Sequence, residues 1–155
     1  MPTSERYSRV PLFERLCDAH PEQTHEQPPL RMLAAAALRA SVARELVLLF
    51  NVRSATGERN RVLSAIDYGL PDWSALSAAN PFDRATIARG MVRAVAAFEP
   101  RLRLPQVTVM PSCDGPQSLY LRLTGWLAGE EEANPVAFGI ELGAAGASVS
   151  VERVS

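Results

Sequence analysis

A chain of 155 residues, 47% hydrophobic and 21% charged, has the composition of an ordinary globular domain. At this length folding buries roughly 68–70% of the unfolded surface, enough for one sizeable core. A net charge of −1 and a pI near 6.1 oppose nucleic-acid binding, which calls for a strongly basic surface.

Residues 1–10 are polar and read as an unordered arm, and Pro11-Leu12-Phe13-Glu14-Arg15-Leu16 reads as a short helical anchor. Residues 18–30 form a polar, proline-rich linker without a core-forming pattern. Residues 1–32 are therefore taken as an N-terminal arm and 33–155 as a single α+β domain. The arm contains no apolar run of the signal-peptide kind. Cys17, His20 and His25, with Glu22 and Glu26 nearby, are candidate metal ligands, but their spacing matches no zinc pattern. No metal or other cofactor is expected. Cys17 and Cys113 form neither a C-x-x-C pair nor a disulfide framework, which fits a reducing, cytoplasmic setting.

The spacing of Leu38, Val42, Leu46 and Leu49 predicts an amphipathic helix over 33–50. Arg39, Arg44 and Glu45 interrupt its apolar run, so it does not read as a membrane span. Ser54 to Asn60 is a polar loop, and Arg61 to Tyr68 reads as another short helix ended by Gly69 and Pro71. Tyr68 and Trp73 add large contact area to the turn-rich segment 64–73, suited to an interface or to a packed loop. Asn80-Pro81-Phe82-Asp83 then supplies a capping asparagine, a proline at the first helical position and an acid in the first turn. Ile87, Met91, Ala94, Val95 and Phe98 give that second helix its apolar face. Gly90 lies within it, at a cost of roughly 1 kcal/mol relative to alanine, and either close approach of another backbone or simple tolerance accounts for it.

The helix runs into Phe98-Glu99-Pro100-Arg101-Leu102. A carboxylate in a last helical turn meets the negative end of the helix dipole and needs a cationic partner. Pro100 excludes Glu99 from the α region, and in an extended exit Glu99 and Arg101 share a face. An acid and a planar base held together by a proline suit a structural or partner-binding contact.

Beyond Pro100 the periodicity becomes alternating. Leu102, Leu104, Val107 and Val109 predict one or two strands interrupted at Pro105. Leu119, Leu121, Leu123 and Leu127 predict the next, with Gly125 as a bulge or bend. Val136, Phe138, Ile140 and Leu142 repeat the pattern, as do Ala147, Val149 and Val151. Turn-forming residues at 112–117, 129–134 and 143–146 separate them. Short loops favour a mainly antiparallel meander with helices packed on one face, an α+β fold of two layers. The last strand, 147–154, is expected near a sheet edge, with Glu152 and Arg153 discouraging uncontrolled pairing.

Catalytic motifs are scarce. There is no G-x-S-x-G elbow, phosphate loop or G-x-G-x-x-G. A glycosidase would need Glu99 paired with Asp67 or Asp72, one of them protonated. An arginine beside Glu99 favours its ionised form, the wrong direction for a general acid.

The ordered set of segments resembles the TssE subunit of the type VI secretion baseplate and its phage counterpart, the baseplate wedge protein once called lysozyme-like. The similarity lies in Leu12-Phe13-Glu14-Arg15-Leu16, the helix ending Arg44-Glu45-Leu46-Val47-Leu48-Leu49-Phe50-Asn51-Val52-Arg53, Tyr68-Gly69-Leu70-Pro71-Asp72, the Phe98–Leu102 junction and the strand 119–127. It covers residues 11–143. Phe50-Asn51-Val52-Arg53 replaces the family's more usual Leu-Asn-Thr-Arg, and Ile66-Asp67 replaces Leu-Asn.

The resemblance implies a non-enzymatic baseplate part that binds other wedge proteins through Glu99, Pro100 and Arg101. It also implies templating of the first sheath ring by strand exchange. Tyr68, Val149 and Val151 are further expected partner contacts. No nucleic acid, membrane insertion or small-molecule substrate is expected. The competing reading is a muramidase-like peptidoglycan hydrolase using Glu99.

Overall fold

Leu38, Val42, Leu46 and Leu49 fall on one stripe of helix α1 (Ala35–Asn51), and all four are buried. The computed structural model describes residues 8–9, 22, 32–54, 63–111, 118–128, 135–143 and 146–152. The expected anchor at 11–16, nearly all of the linker, Cys17, His20, His25, Glu26 and Cys113 lie outside the described residues, as do the turns at 112–117 and 129–134. The arm is not wholly unordered: β1 (Ser8–Arg9) pairs antiparallel with β2 (Met32–Leu33) just ahead of α1.

Helix α2 (Pro81–Phe98) starts as its sequence demands. The Asn80 side chain accepts a hydrogen bond from the Phe82 N–H at 3.0 Å, Pro81 opens the first turn, and Asp83 accepts from the Ser77 N–H. Ile87, Met91, Ala94 and Val95 are its buried face. The short helix expected over 61–68 is a single 3-10 turn, Ala65–Asp67, which Asp67 closes by accepting from both the N–H and the hydroxyl of Ser64.

The four remaining strands are β3 (Leu102–Pro111), β4 (Leu119–Leu127), β5 (Val136–Gly143) and β6 (Gly146–Glu152). They form an antiparallel sheet in chain order, with β3 and β6 as its outer strands. Helix α2 packs on β3 and α1 on β6. Leu119, Leu121, Leu123 and Leu127 with Val136, Phe138, Ile140 and Leu142 fill the space beneath the helices. The fold is α+β, helices against an antiparallel meander.

Of the one or two strands predicted after Pro100, the structure forms one, β3, and its register against β4 shifts between Arg103 and Gln106. At that bulge Leu104 has φ +49° and is 73% exposed, so it is not part of the inward face that alternation assigned to it. Gly125 sits opposite: a Cβ there would lie 2.8 Å from the Arg103 carbonyl oxygen. The absent side chain accommodates the bulge of the neighbouring strand.

Candidate functional site

Glu99 and Arg101 do meet, through a turn and not an extended segment. Glu99 ends α2, its N–H bonded to the Val95 carbonyl, and the Leu102 N–H closes back on the Glu99 carbonyl at 3.0 Å. Pro100 occupies the second position of that turn, where its fixed φ is pre-set. The Arg101 guanidinium then grips the carboxylate with Nε 2.8 Å from Oε1 and Nη2 2.6 Å from Oε2, and the Arg101 N–H adds a contact at 3.2 Å. Its Nη1 donates to the Ser41 hydroxyl at 2.7 Å. Ser41 lies fully buried in the middle of α1. One side chain thereby ties the α2–β3 junction to the other helix.

Glu99 is 2% exposed, the Arg101 side chain 15%, and Pro100 is exposed. A carboxylate so deeply placed requires this degree of pairing, because an unpaired buried charge is strongly unfavourable. The Arg101 carbonyl accepts from the Ala128 N–H at 2.8 Å, fastening the same turn to the end of β4.

The segment 68–73 packs beside this clasp. Tyr68 stands edge-on to Phe98 with ring centroids 5.2 Å apart. Burial, then the negative charges of Glu45 and Glu99, push the Tyr68 phenol above its ordinary value. Leu70 donates to the Val52 carbonyl and accepts from Ser54, a short parallel bridge between Arg53 and Leu70. Gly69 has φ +116° there, and a Cβ would sit 2.6 Å from the Val52 carbonyl oxygen; only glycine fits. Gly90 of α2 faces the Pro71 ring, 2.8 Å from where a Cβ would be, so a side chain and not a backbone makes the close approach. Arg53 stacks over Trp73 at 3.5 Å.

The other carboxylates considered for catalysis have local work. Asp67 caps its own turn. Asp72 accepts from the N–H and hydroxyl of Ser74, which hold it below the usual carboxylate range. Among the described residues no group of three or more His, Cys, Asp or Glu could hold a metal ion, and no helix is long and apolar enough to cross a membrane.

Val149 and Val151 lie far from the clasp in sequence, on β6, whose only strand partner among the described residues is β5. Gly143 and Gly146 close the β5–β6 hairpin as a facing pair. At its other end Glu152 reaches across β5 to β4, accepting from the Tyr120 hydroxyl and pairing with Arg122 Nε at 3.0 Å. Gly139 lies between them, and a Cβ there would be 2.6 Å from Glu152 Oε1 and 2.8 Å from the Tyr120 oxygen. The Glu152 hydrogen bond, helped by burial, raises the Tyr120 phenol above its ordinary value. At the hairpin end, Asn51 Oδ1 accepts from the Ala147 N–H at 2.9 Å, while its Nδ2 donates to Val47 at 2.8 Å.

Sequence reasoning did not find Ser41 or Asn51. A serine in a helix interior and an asparagine at a helix end each have ordinary local uses, and their partners here lie 60 and 96 residues away. Neither curated proteins nor solved structures provide a match. A family model described as baseplate wedge protein gp25 does match, over residues 36–132, which span both helices, the clasp and strands β3 and β4. The chain belongs to the baseplate wedge protein gp25 family.

Proposed function

We propose that this protein is a non-enzymatic structural component of a type VI secretion baseplate, acting on the cytoplasmic side of a membrane-docked assembly. The turn at Glu99, Pro100 and Arg101, with Tyr68 beside it, binds other wedge proteins. The β6 edge around Val149 and Val151 receives a sheath subunit and templates the first sheath ring. Family membership supports the baseplate role. The observation that carries the division of labour is the distance in architecture between two unlike surfaces: a turn fixed by buried charge, and an outer strand fastened at both ends.

The hydrolase alternative gains nothing from the geometry. Both Glu99 oxygens are bonded to Arg101 and the residue is 2% exposed, which leaves neither oxygen open to a glycosidic bond. Purified protein is expected to release no more soluble glycan from peptidoglycan than a heat-killed control. In reconstitution, the chain should co-purify with the neighbouring wedge proteins and nucleate sheath on them. Glycan release abolished by Glu99→Gln, or a complex with neither wedge nor sheath protein, would overturn the reading.

A further inference from the structure

The hairpin register fixes which backbone groups of β6 point outward. In an antiparallel ladder, facing residues alternate between pairs that exchange both hydrogen bonds and pairs that exchange none. The Ala147 N–H bonds to Asn51 and not to its facing residue Leu142, so Ala147 belongs to the second kind. Val149 opposite Ile140 and Val151 opposite Phe138 follow at intervals of two and share that orientation. The N–H and C=O groups of Ala147, Val149 and Val151 therefore face away from β5.

At Ala147 that outward position is taken. The Asn51 carboxamide is the side-chain analogue of a peptide group. Its Oδ1 accepts from the Ala147 N–H, and its Nδ2 stands 3.5 Å from the Ala147 carbonyl, at the outer limit of a hydrogen bond. The Nδ2 bond to the Val47 carbonyl fixes which end of the amide is which. Gly146 (φ +109°) supplies the clearance, since a Cβ there would lie 2.5 Å from Oδ1.

We propose that Asn51 is a register stop on the β6 edge. It fills the place that one peptide group of an added strand would take, so an extended segment of another chain pairs with β6 from Val149 onward and never at Ala147. The occupant is an extended backbone, because Asn51 already presents one peptide-like group to this edge and the next two outward residues repeat the same geometry. Side chains add a requirement: Val151 is 49% exposed on the helix-facing side of the strand, while Ser148, Ser150 and Glu152 alternate on the other. The incoming segment thus carries an apolar residue beside Val151 and polar residues on its opposite face. This inference rests on the reading that β6 receives a sheath strand.

The test is disulfide scanning in the reconstituted baseplate–sheath complex. The full chain, with Cys17 and Cys113 changed to alanine, carries one cysteine at Ala147, Val149 or Val151. The sheath subunit carries single cysteines along its pairing segment. Directly facing residues of paired strands are within disulfide reach. The expected result is sheath capture from Val149 and Val151 but not from Ala147, and at least a tenfold gain at Ala147 in Asn51→Ala. Asn51→Asp, which keeps the acceptor and the bulk, should retain the original pattern. Capture at Ala147 with Asn51 intact overturns the register stop alone. Capture from none of the three positions overturns the strand-receiving reading beneath it, as does a disulfide formed only between two copies of this chain. The unsubstituted pattern is decisive even where Asn51→Ala fails to fold.

Discussion

Arg101 leaves Glu99 little freedom, and that has a measurable consequence. Arg101→Ala would strand a buried carboxylate, so the expected loss is about 3–5 kcal/mol of unfolding free energy, read from a denaturant titration. Replacing Glu99 and Arg101 together by methionine should recover most of it, because no charge is then left unpaired. A partner-binding defect in the single variant accompanied by normal binding in the double variant would mean that the clasp shapes the junction and its charges touch nothing outside. Tyr120 offers a second residue-level test. Its hydrogen bond to Glu152 raises the phenol above its ordinary value of 10.0, so the folded state holds the proton more tightly than the unfolded one. The resulting stability is present below 10.0 and is lost as the pH rises through the folded value. Tyr120→Phe should therefore cost at most about 1 kcal/mol at neutral pH, because solvent screens a hydrogen bond on this open face of the sheet. That deficit should shrink in alkali; a constant deficit across the range would deny the linkage.

At the scale of elements, the bulge in β3 separates what alternation can predict from what it cannot. Leu102 is buried where the strand begins, but the register shift before Gln106 turns Leu104 outward at φ +49°. Leu102→Ala is expected to cost about 2–5 kcal/mol, as for other buried leucines. Leu104→Gly should stay within about 1 kcal/mol of the parent, since relief of a left-handed leucine offsets the entropy that glycine adds to the unfolded chain. Thermal unfolding of the two variants side by side checks this, and equal losses would deny the bulge. The sequence shows four apolar positions in regular succession along α1, five along α2 and four along each of β4 and β5, so those elements were legible from periodicity alone. A bulge leaves no such trace, because one inserted residue changes the facing of its neighbours without altering composition. Pro105 drew attention to the right place, but it marks an irregular strand and not a break.

Across the whole molecule, the parts that escaped sequence reasoning are those joining distant segments. Glu99 and Arg101 are two residues apart, and their pairing was readable from proline, spacing and charge, although a turn brings it about instead of an extended exit. The Ser41 end of the same clasp and the Asn51–Ala147 contact depend on where α1 lies against the sheet, which no local pattern encodes. That contact also has a consequence in time. Translation proceeds at about 5–20 residues per second, and Asn51 precedes Ala147 by 96 residues, so α1 is made on the order of 5–20 s before the strand it holds. In the later part of that interval, once α2 is made, the nascent chain has both helices but an incomplete sheet, and whichever strand emerged last is its outermost. Only when β6 arrives does the edge invoked in the register-stop proposal exist. On that proposal, recruitment with a defined register is a property of the finished fold, and chains still on the ribosome have no such edge to offer a neighbouring subunit.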